Sequence, residues 1–107
     1  MATATIPRYS AEVSADDVSS GLREHGVVII ERLADADLCD RIAAELEPWL
    51  AETPTGGDDF AGHNTRRTGA LLTRCPSSVE MVAHPLILDV VDHTLWANKT
   101  TFQLHLT

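Results

Sequence analysis

Two short stretches patterned as β-strands stand far apart in this chain, and their separation limits what the chain can fold into. VVII at residues 27–30 is a run of branched apolar residues directly after Gly26, which is typical of a buried strand. TTFQLHLT at residues 100–107 alternates apolar and polar side chains, which is typical of a strand with one wet face. Because two strands alone do not make a stable sheet, the sequence predicts that both need further partners.

The residues before the first strand predict a short helix. Ser14 can cap this helix, Asp16 suits the positive end of its dipole, and Gly26 can end it. Residues 1–13 carry no apolar periodicity, so we expect them to form a flexible N-terminal arm. The remaining residues, 14–107, are expected to belong to a single domain because the chain has only 107 residues.

A longer amphipathic helix is predicted after the first strand. Asp35 is its expected N-cap, and apolar side chains recur every four residues as far as Leu50. Pro48 is expected to kink or fray the last turn, and Trp49 to be a core or interface anchor. Residues 52–69 are rich in glycine and polar residues and therefore predict a long loop, of the kind that is usually functional or disordered.

Shorter elements are predicted between this loop and the second strand. Residues 70–73 suggest a short extended piece. Pro76 and Pro85 each open a helical stretch, because proline is favoured at the first helical position. His84 is expected at the start of the second of these helices and His93 on its surface. The predicted fold class is therefore α+β.

The charge of the chain argues against several kinds of partner. The formal net charge is −8 and Lys99 is the only lysine, whereas binding to nucleic acid or to an anionic membrane needs clustered cations. No apolar run is long enough to span a membrane. Cys39 and Cys75 lack metal-type spacing and are expected to be reduced, semi-buried thiols. With no signal-peptide pattern near the N-terminus, a cytoplasmic location is expected.

The order of these segments resembles a known family. EHGVVIIERL at 24–33, MVAHPLILDVVDHTLW at 81–96 and FQLHLT at 102–107 follow one another as in the N-terminal region of the phytanoyl-CoA dioxygenases. That family consists of non-haem iron(II), 2-oxoglutarate-dependent oxygenases, and the resemblance spans about residues 15–107. It implies a double-stranded β-helix, a jelly-roll or cupin-like barrel flanked by helices. This chain would supply the N-terminal helices and first strands and leave the barrel incomplete.

The metal ligands of that family are missing from this sequence. Relatives hold iron with a His-x-Asp pair and a later histidine. The resemblance therefore implies the N-terminal segment of a hydroxylase of a small organic substrate, inactive alone and without catalytic or metal-binding residues of its own. Iron(II) and 2-oxoglutarate would bind only to the full-length protein. The residues two positions after the five histidines are Val27, Thr65, Leu86, Leu95 and Thr107, none of them acidic.

Four residues are candidates for contact with substrate or cosubstrate. Arg67 matches an arginine that can point into the active site in relatives, and arginine binds carboxylates through two parallel hydrogen bonds. The alternative is that Arg66 and Arg67 form a solvated surface pair. Gln103, His105 and Thr107 share the polar face of the second strand and would line the pocket if that face is the barrel lumen. The alternative is a half-exposed strand whose polar face meets water.

Other interpretations stay open at this point. One is a small non-catalytic binding protein derived from this fold, which would form a homo-oligomer through open strand edges. Another is an unrelated helical domain in which both strands are misassigned. His63 with Asp58 and Asp59 could form a metal site, and His105 could be a ligand, although charged side chains in loops are usually solvated.

Overall fold

The computed structural model describes residue 3 and residues 5–95 of the chain. Within this range the chain forms five α-helices, one 3₁₀ turn and two short strands. Two compact units result, the first from described residues up to 35 and from 81 onward, the second from residues 36–80. The elements are β1 (Arg8–Tyr9), α1 (Ala15–His25), β2 (Ile29–Ile30), α2 (Ala36–Glu52), α3 (Leu71–Arg74), the 3₁₀ turn (Pro76–Ser78), α4 (Val79–Val82) and α5 (Pro85–Thr94).

Helix α1 begins and ends where the sequence predicts. The Ser14 hydroxyl accepts a hydrogen bond from the backbone N–H of Asp17 at 3.1 Å, which satisfies one of the free donors of the first turn. Gly26 adopts a left-handed conformation with φ 77°, and its N–H donates to the carbonyl of Leu22 at 2.8 Å. A residue with a side chain would be strained in this conformation, so Gly26 explains the end of the helix.

The two strands pair in parallel, with Arg8 opposite Ile29. Strand β1 lies within residues 1–13, where the sequence predicts a flexible arm and no strand. Strand β2 is shorter than the run 27–30 that the sequence predicts, and it is half-buried. Val27 is 45% exposed, so the prediction of a buried four-residue strand was wrong. The described residues offer β2 one neighbouring strand, which leaves its other edge and part of its surface uncovered.

The core of the first unit lies between α1 and α5. Val18 is 1% exposed and Val90 is 8% exposed, and they are the buried apolar side chains of these two helices. The hydroxyls of Ser19 and Thr94 approach to 3.5 Å at the same contact. A buried serine in an apolar contact is tolerated because its hydroxyl has a partner.

The ends of α5 carry the two histidines that the sequence assigned to it. His84 is the N-cap, and its Nδ1 accepts a hydrogen bond from the backbone N–H of Leu86 at 3.2 Å. The prediction that His84 starts this helix is confirmed. His93 lies in the last turn with its side chain partly exposed, and its Nε2 is 3.0 Å from Oδ1 of Asp16 in α1. The predicted surface position of His93 is therefore confirmed.

In the second unit, α2 continues through Pro48 to Glu52. The predicted long helix is confirmed, and Leu38 is its buried apolar residue. Trp49 is 39% exposed and is not a core residue of the described range, whereas its alternative role as an interface anchor stays a prediction. The helix ends at Glu52, and the N–H of the next residue, Thr53, donates to the carbonyl of Leu50 at 3.2 Å.

Residues 70–73 form part of a helical turn, not the extended piece that the sequence suggests. Ala70 is left-handed, with φ 53°, and its carbonyl accepts from the N–H of Arg74 at 3.0 Å. The turn packs against α2 and the 3₁₀ turn, which is the source of its stability. Cys75 follows it and is fully buried, whereas Cys39 is exposed. Both thiols are free as predicted, but neither is semi-buried.

The predicted α+β class is confirmed for the part of the chain that the structure describes. The jelly-roll barrel stays a prediction. The helices in this part of the chain are all too short or too polar to cross a membrane.

Candidate functional site

The loop at residues 53–70, between α2 and α3, is folded back on itself. The N–H of Gly56 donates to the carbonyls of Gly62 at 3.0 Å and of Thr65 at 3.2 Å. A Cβ at Gly56 would lie 2.5 Å from the Cβ of Ala61, so the crossing needs glycine there. The predicted long loop is confirmed, and its own hydrogen bonds hold it in a compact shape.

The tip of this loop is an Asp-initiated turn. The Asp58 carboxylate accepts from the N–H of Ala61 at 2.6 Å, and the Asp58 carbonyl accepts from the N–H of Gly62 at 2.8 Å. His63 lies 3.3 Å from the carboxylate of Asp59, and both side chains are largely exposed. Three side chains able to hold a metal ion do not come together anywhere in residues 5–95. The described residues therefore do not fit an iron site.

A depression of about 160 Å³ lies against this loop, and Arg67 forms part of its wall. Arg67 is exposed, and its guanidinium makes no hydrogen bond or ion pair with another residue of the described range. A small concave site beside a guanidinium that has no partner among residues 5–95 suits a carboxylate group, which the guanidinium can bind through two hydrogen bonds. The lining residues are Thr53, Pro54, Gly56, Ala61, Thr65 and Arg67.

Arg66, the other member of the predicted pair, does not line this depression. Its side chain is exposed, as the surface alternative expects for Arg66. The two neighbouring arginines therefore differ in position, and of the two it is Arg67 that is a candidate for ligand contact. Binding by Arg67 stays a prediction.

A second polar cluster, in the same unit, centres on Arg41. Two of its guanidinium nitrogens donate to the two carboxylate oxygens of Glu80, at 2.8 and 3.0 Å. Its Nε donates to Asp37 at 2.9 Å, and Nη1 also donates to the hydroxyl of Ser77 at 3.0 Å. These hydrogen bonds, first those with Glu80, raise the pKa of Arg41 and lower the pKa of Glu80. Because most of its donors are engaged with Asp37, Ser77 and Glu80, Arg41 is not free for a ligand.

Glu45 joins α2 to the 3₁₀ turn beside this cluster. Its carboxylate accepts from the backbone N–H of Ser77 at 2.9 Å and from the Ser77 hydroxyl at 2.8 Å. The backbone hydrogen bond is the main reason that the pKa of Glu45 is lowered. Cys75 precedes this turn, and burial raises the pKa of its thiol, which makes it a poor nucleophile.

The first unit has a depression of its own, of about 340 Å³, beside β2. Arg8 and Arg32 contribute to its wall, but the Nε of Arg8 donates to Glu31 at 2.6 Å. This hydrogen bond is the main cause of the lowered pKa of Glu31, which stays ionised and neutralises one of the two cations. The depression is a weaker candidate than the one at Arg67, because the carboxylate of Glu31 competes with any anion. This depression could not be predicted from the sequence, since Arg8 and Arg32 lie far apart along the chain.

Three of the predicted site residues, Gln103, His105 and Thr107, lie outside the described residues. Their assignment to the pocket wall stays a prediction. The structure therefore tests the geometry of Arg67 alone among the four candidates.

The described residues define an α+β segment. It has a helix, a short strand, a long helix and an arginine at a compact loop. Residues 22–106 match the protein family described as phytanoyl-CoA dioxygenase (PhyH). The chain belongs to the phytanoyl-CoA dioxygenase family. The match confirms the resemblance seen in the sequence.

A curated relative supports the same family. The protein named "Dioxygenase FrzG" from Cladobotryum sp is 28% identical to this chain over 98 residues. The alignment covers 77% of this chain but only 31% of that protein, in its N-terminal part. This chain therefore spans less than a third of the length of that relative.

Proposed function

We propose that this chain is the N-terminal segment of an Fe(II)- and 2-oxoglutarate-dependent dioxygenase that hydroxylates a small organic substrate. The observation that carries the proposal is the family match over residues 22–106. The dioxygenase name of the curated relative, aligned in its N-terminal part, supports it.

The proposed role of the segment is to form walls of the active site and not to hold the metal. None of its five histidines is followed two residues later by an acidic residue. We therefore assign no chemical step to residues of this chain, and we expect it to be inactive alone. Iron and 2-oxoglutarate would be bound by parts of a complete enzyme that carry the His-x-Asp pair and the later histidine.

Arg67 is the residue of this segment that we propose to contact a ligand. Its exposed guanidinium, beside a small depression, can pair with a carboxylate of the substrate or of 2-oxoglutarate. Such a contact would orient the ligand and contribute no proton transfer, since arginine stays charged. Gln103, His105 and Thr107 are proposed to line the same active site from the polar face of a strand.

A hybrid protein tests the proposal. The aligned N-terminal part of the fungal relative is replaced by this chain, and the intact relative serves as the reference. Both are mixed with Fe(II) and 2-oxoglutarate without oxygen, and the visible charge-transfer band of the ternary complex is recorded. We expect the band in both proteins. A folded hybrid that lacks the band, when the intact relative has it, would contradict the proposed role.

A second candidate is a non-catalytic binding protein that forms a homo-oligomer through strand edges. The edge of β2 that no strand within residues 5–95 covers and the 45% exposure of Val27 favour it. Sedimentation equilibrium distinguishes the two, because a dimer that Val27→Lys converts to a monomer would support this candidate.

The net charge of −8 supports a partner other than nucleic acid or an anionic membrane. The free thiols support a cytoplasmic location.

A further inference from the structure

Both ends of the 53–70 loop are tied to one residue, Trp49. At the start of the loop, the hydroxyl of Thr53 donates to the backbone carbonyl of Trp49 at 2.6 Å. At its end, the hydroxyl of Thr68 accepts from Nη1 of Arg74 at 2.6 Å. The guanidinium carbon of Arg74 in turn lies 4.5 Å from the centre of the Trp49 ring. Trp49 therefore closes the loop through its backbone at one end and through its ring at the other.

The candidate site lies between these two ties. Thr53 and Arg67 both line the depression, and Arg67 is directly bonded in the chain to Thr68. The Arg67 side chain makes no hydrogen bond within the described residues. The nearest side-chain hydrogen bond along the chain is the one that the next residue, Thr68, accepts from Arg74. A ligand-binding arginine must be held near its binding geometry to be effective.

We propose that Arg74 is the positioning residue of the Arg67 site, acting through the hydroxyl of Thr68 and the indole of Trp49. This inference rests on the proposed contact between Arg67 and a carboxylate. Arg74 does not touch the ligand. It fixes the backbone next to Arg67, so that less conformational freedom is lost when a carboxylate binds.

An arginine is suited to this role where a lysine is not. The planar guanidinium can lie over an aromatic ring and at the same time donate in its own plane to an acceptor at the rim. A lysine at position 74 would keep the charge and the contact with the ring, but a single ammonium cannot hold both partners in this geometry. Arg74→Lys therefore separates the effect of charge from the effect of position.

The test measures the affinity for 2-oxoglutarate of the hybrid protein described above, loaded with Fe(II) and kept without oxygen, from the charge-transfer band. Each substitution is made in the hybrid. Arg67→Ala should weaken binding about tenfold or more, because it removes the charged hydrogen bonds. Arg74→Lys and Thr68→Ala should each weaken binding about threefold to tenfold, with the thermal midpoint of unfolding little changed. Thr68→Ser keeps the hydroxyl and should bind as the unmodified hybrid does. Arg23→Lys, a change at an exposed arginine of α1, is the matched control and should have no effect.

A second measurement reports how rigidly the segment next to Arg67 is held. Backbone ¹⁵N order parameters of residues 66–68 should fall to about 0.6 or below in Arg74→Lys and Thr68→Ala, and stay near the rigid value in Thr68→Ser. If Arg74→Lys prevents folding, Thr68→Ala still removes the same hydrogen bond and leaves Arg74 in place over Trp49.

The two claims fail in different ways. If Arg67→Ala weakens binding but Arg74→Lys and Thr68→Ala do not, the positioning role is wrong and the proposed contact of Arg67 survives. If the folded hybrid does not bind 2-oxoglutarate although the intact relative does, or if Arg67→Ala binds it equally well, the proposed contact is wrong, and order parameters that are unchanged in Arg74→Lys overturn the positioning role as well.

Discussion

Gly21 of α1 lies directly against the ring of Tyr9 in β1. A Cβ at position 21 would fall 2.5 Å from the hydroxyl oxygen of Tyr9 and 2.9 Å from Cγ1 of Val28. The glycine sits in the middle of a helix, where it costs about 1 kcal/mol relative to alanine. Its presence there is explained by the close approach of the two-stranded sheet, which a side chain would prevent.

This contact predicts that Gly21→Ala destabilises the chain. Overpacking should cost about 2 kcal/mol, partly offset by about 1 kcal/mol from the better helix propensity of alanine, for a net loss of about 1 kcal/mol in urea unfolding. Tyr9→Phe in the same chain should restore part of this loss, since it removes the nearest atom but leaves Val28 in place. Gly57→Ala is the matched control, because nothing lies within 4 Å of a Cβ at position 57. Equal stability of Gly21→Ala and the unmodified chain would contradict the close packing of α1 on the strands.

The second unit should lose stability in acid. The pKa values of Glu45 and Glu80 are lowered from the usual 4.5 by their hydrogen bonds to Ser77 and Arg41. The folded state therefore favours the ionised carboxylates, and this stabilisation is fully present above the unfolded-state pKa and is lost as the pH falls through the folded-state values. We expect the urea concentration at the unfolding midpoint to decrease as the pH is lowered from about 5 to about 3.

Single substitutions separate this effect from general acid denaturation. Glu80→Gln and Glu45→Gln should each lower the midpoint at neutral pH and flatten its decrease in acid. Glu47→Gln, at an exposed position of the same helix, should leave the pH profile parallel to that of the unmodified chain. If Glu80→Gln keeps the full acid dependence, then the pair with Arg41 does not stabilise the fold.

The two cysteines should differ sharply in reactivity. Cys39 is exposed, whereas Cys75 is fully buried and burial raises the pKa of its thiol. In the folded chain, DTNB should label one thiol rapidly and the second slower by about two orders of magnitude or more, because labelling of Cys75 requires local opening. Cys39→Ser should remove the fast phase and Cys75→Ser the slow one. A fast phase that persists in Cys39→Ser would show that Cys75 is accessible.

The elements that the sequence predicts are those whose signals are local. Ser14 and Gly26 mark the ends of α1 by their own chemistry, and the four-residue apolar spacing of α2 reports one buried face. Strand β1 and helix α3 are too short to show any periodicity. Their hydrogen bonds and packing come from partners elsewhere in the chain, such as Ile29 for Arg8.

The candidate site was predictable only in part, for a similar reason. Arg67 was found through a family resemblance, and the compact loop behind it through its glycines. The hydrogen bond from Arg74 to Thr68 could not be predicted from the sequence, because neither residue belongs to a recognisable motif. Arg41 and Glu80 are 39 residues apart, and spacing along the chain does not reveal such a pair.

The proposed role of this chain is tested by an anaerobic titration of Fe(II) and 2-oxoglutarate into the purified 107 residues, followed by visible absorption. We expect no charge-transfer band from a chain that circular dichroism shows to be folded, because we propose that its residues supply an active-site wall and not the metal ligands. A band from the 107 residues alone would show that this proposal is wrong. It would mean that the chain assembles a metal site of its own, with His105 and a loop carboxylate as the first ligands to examine.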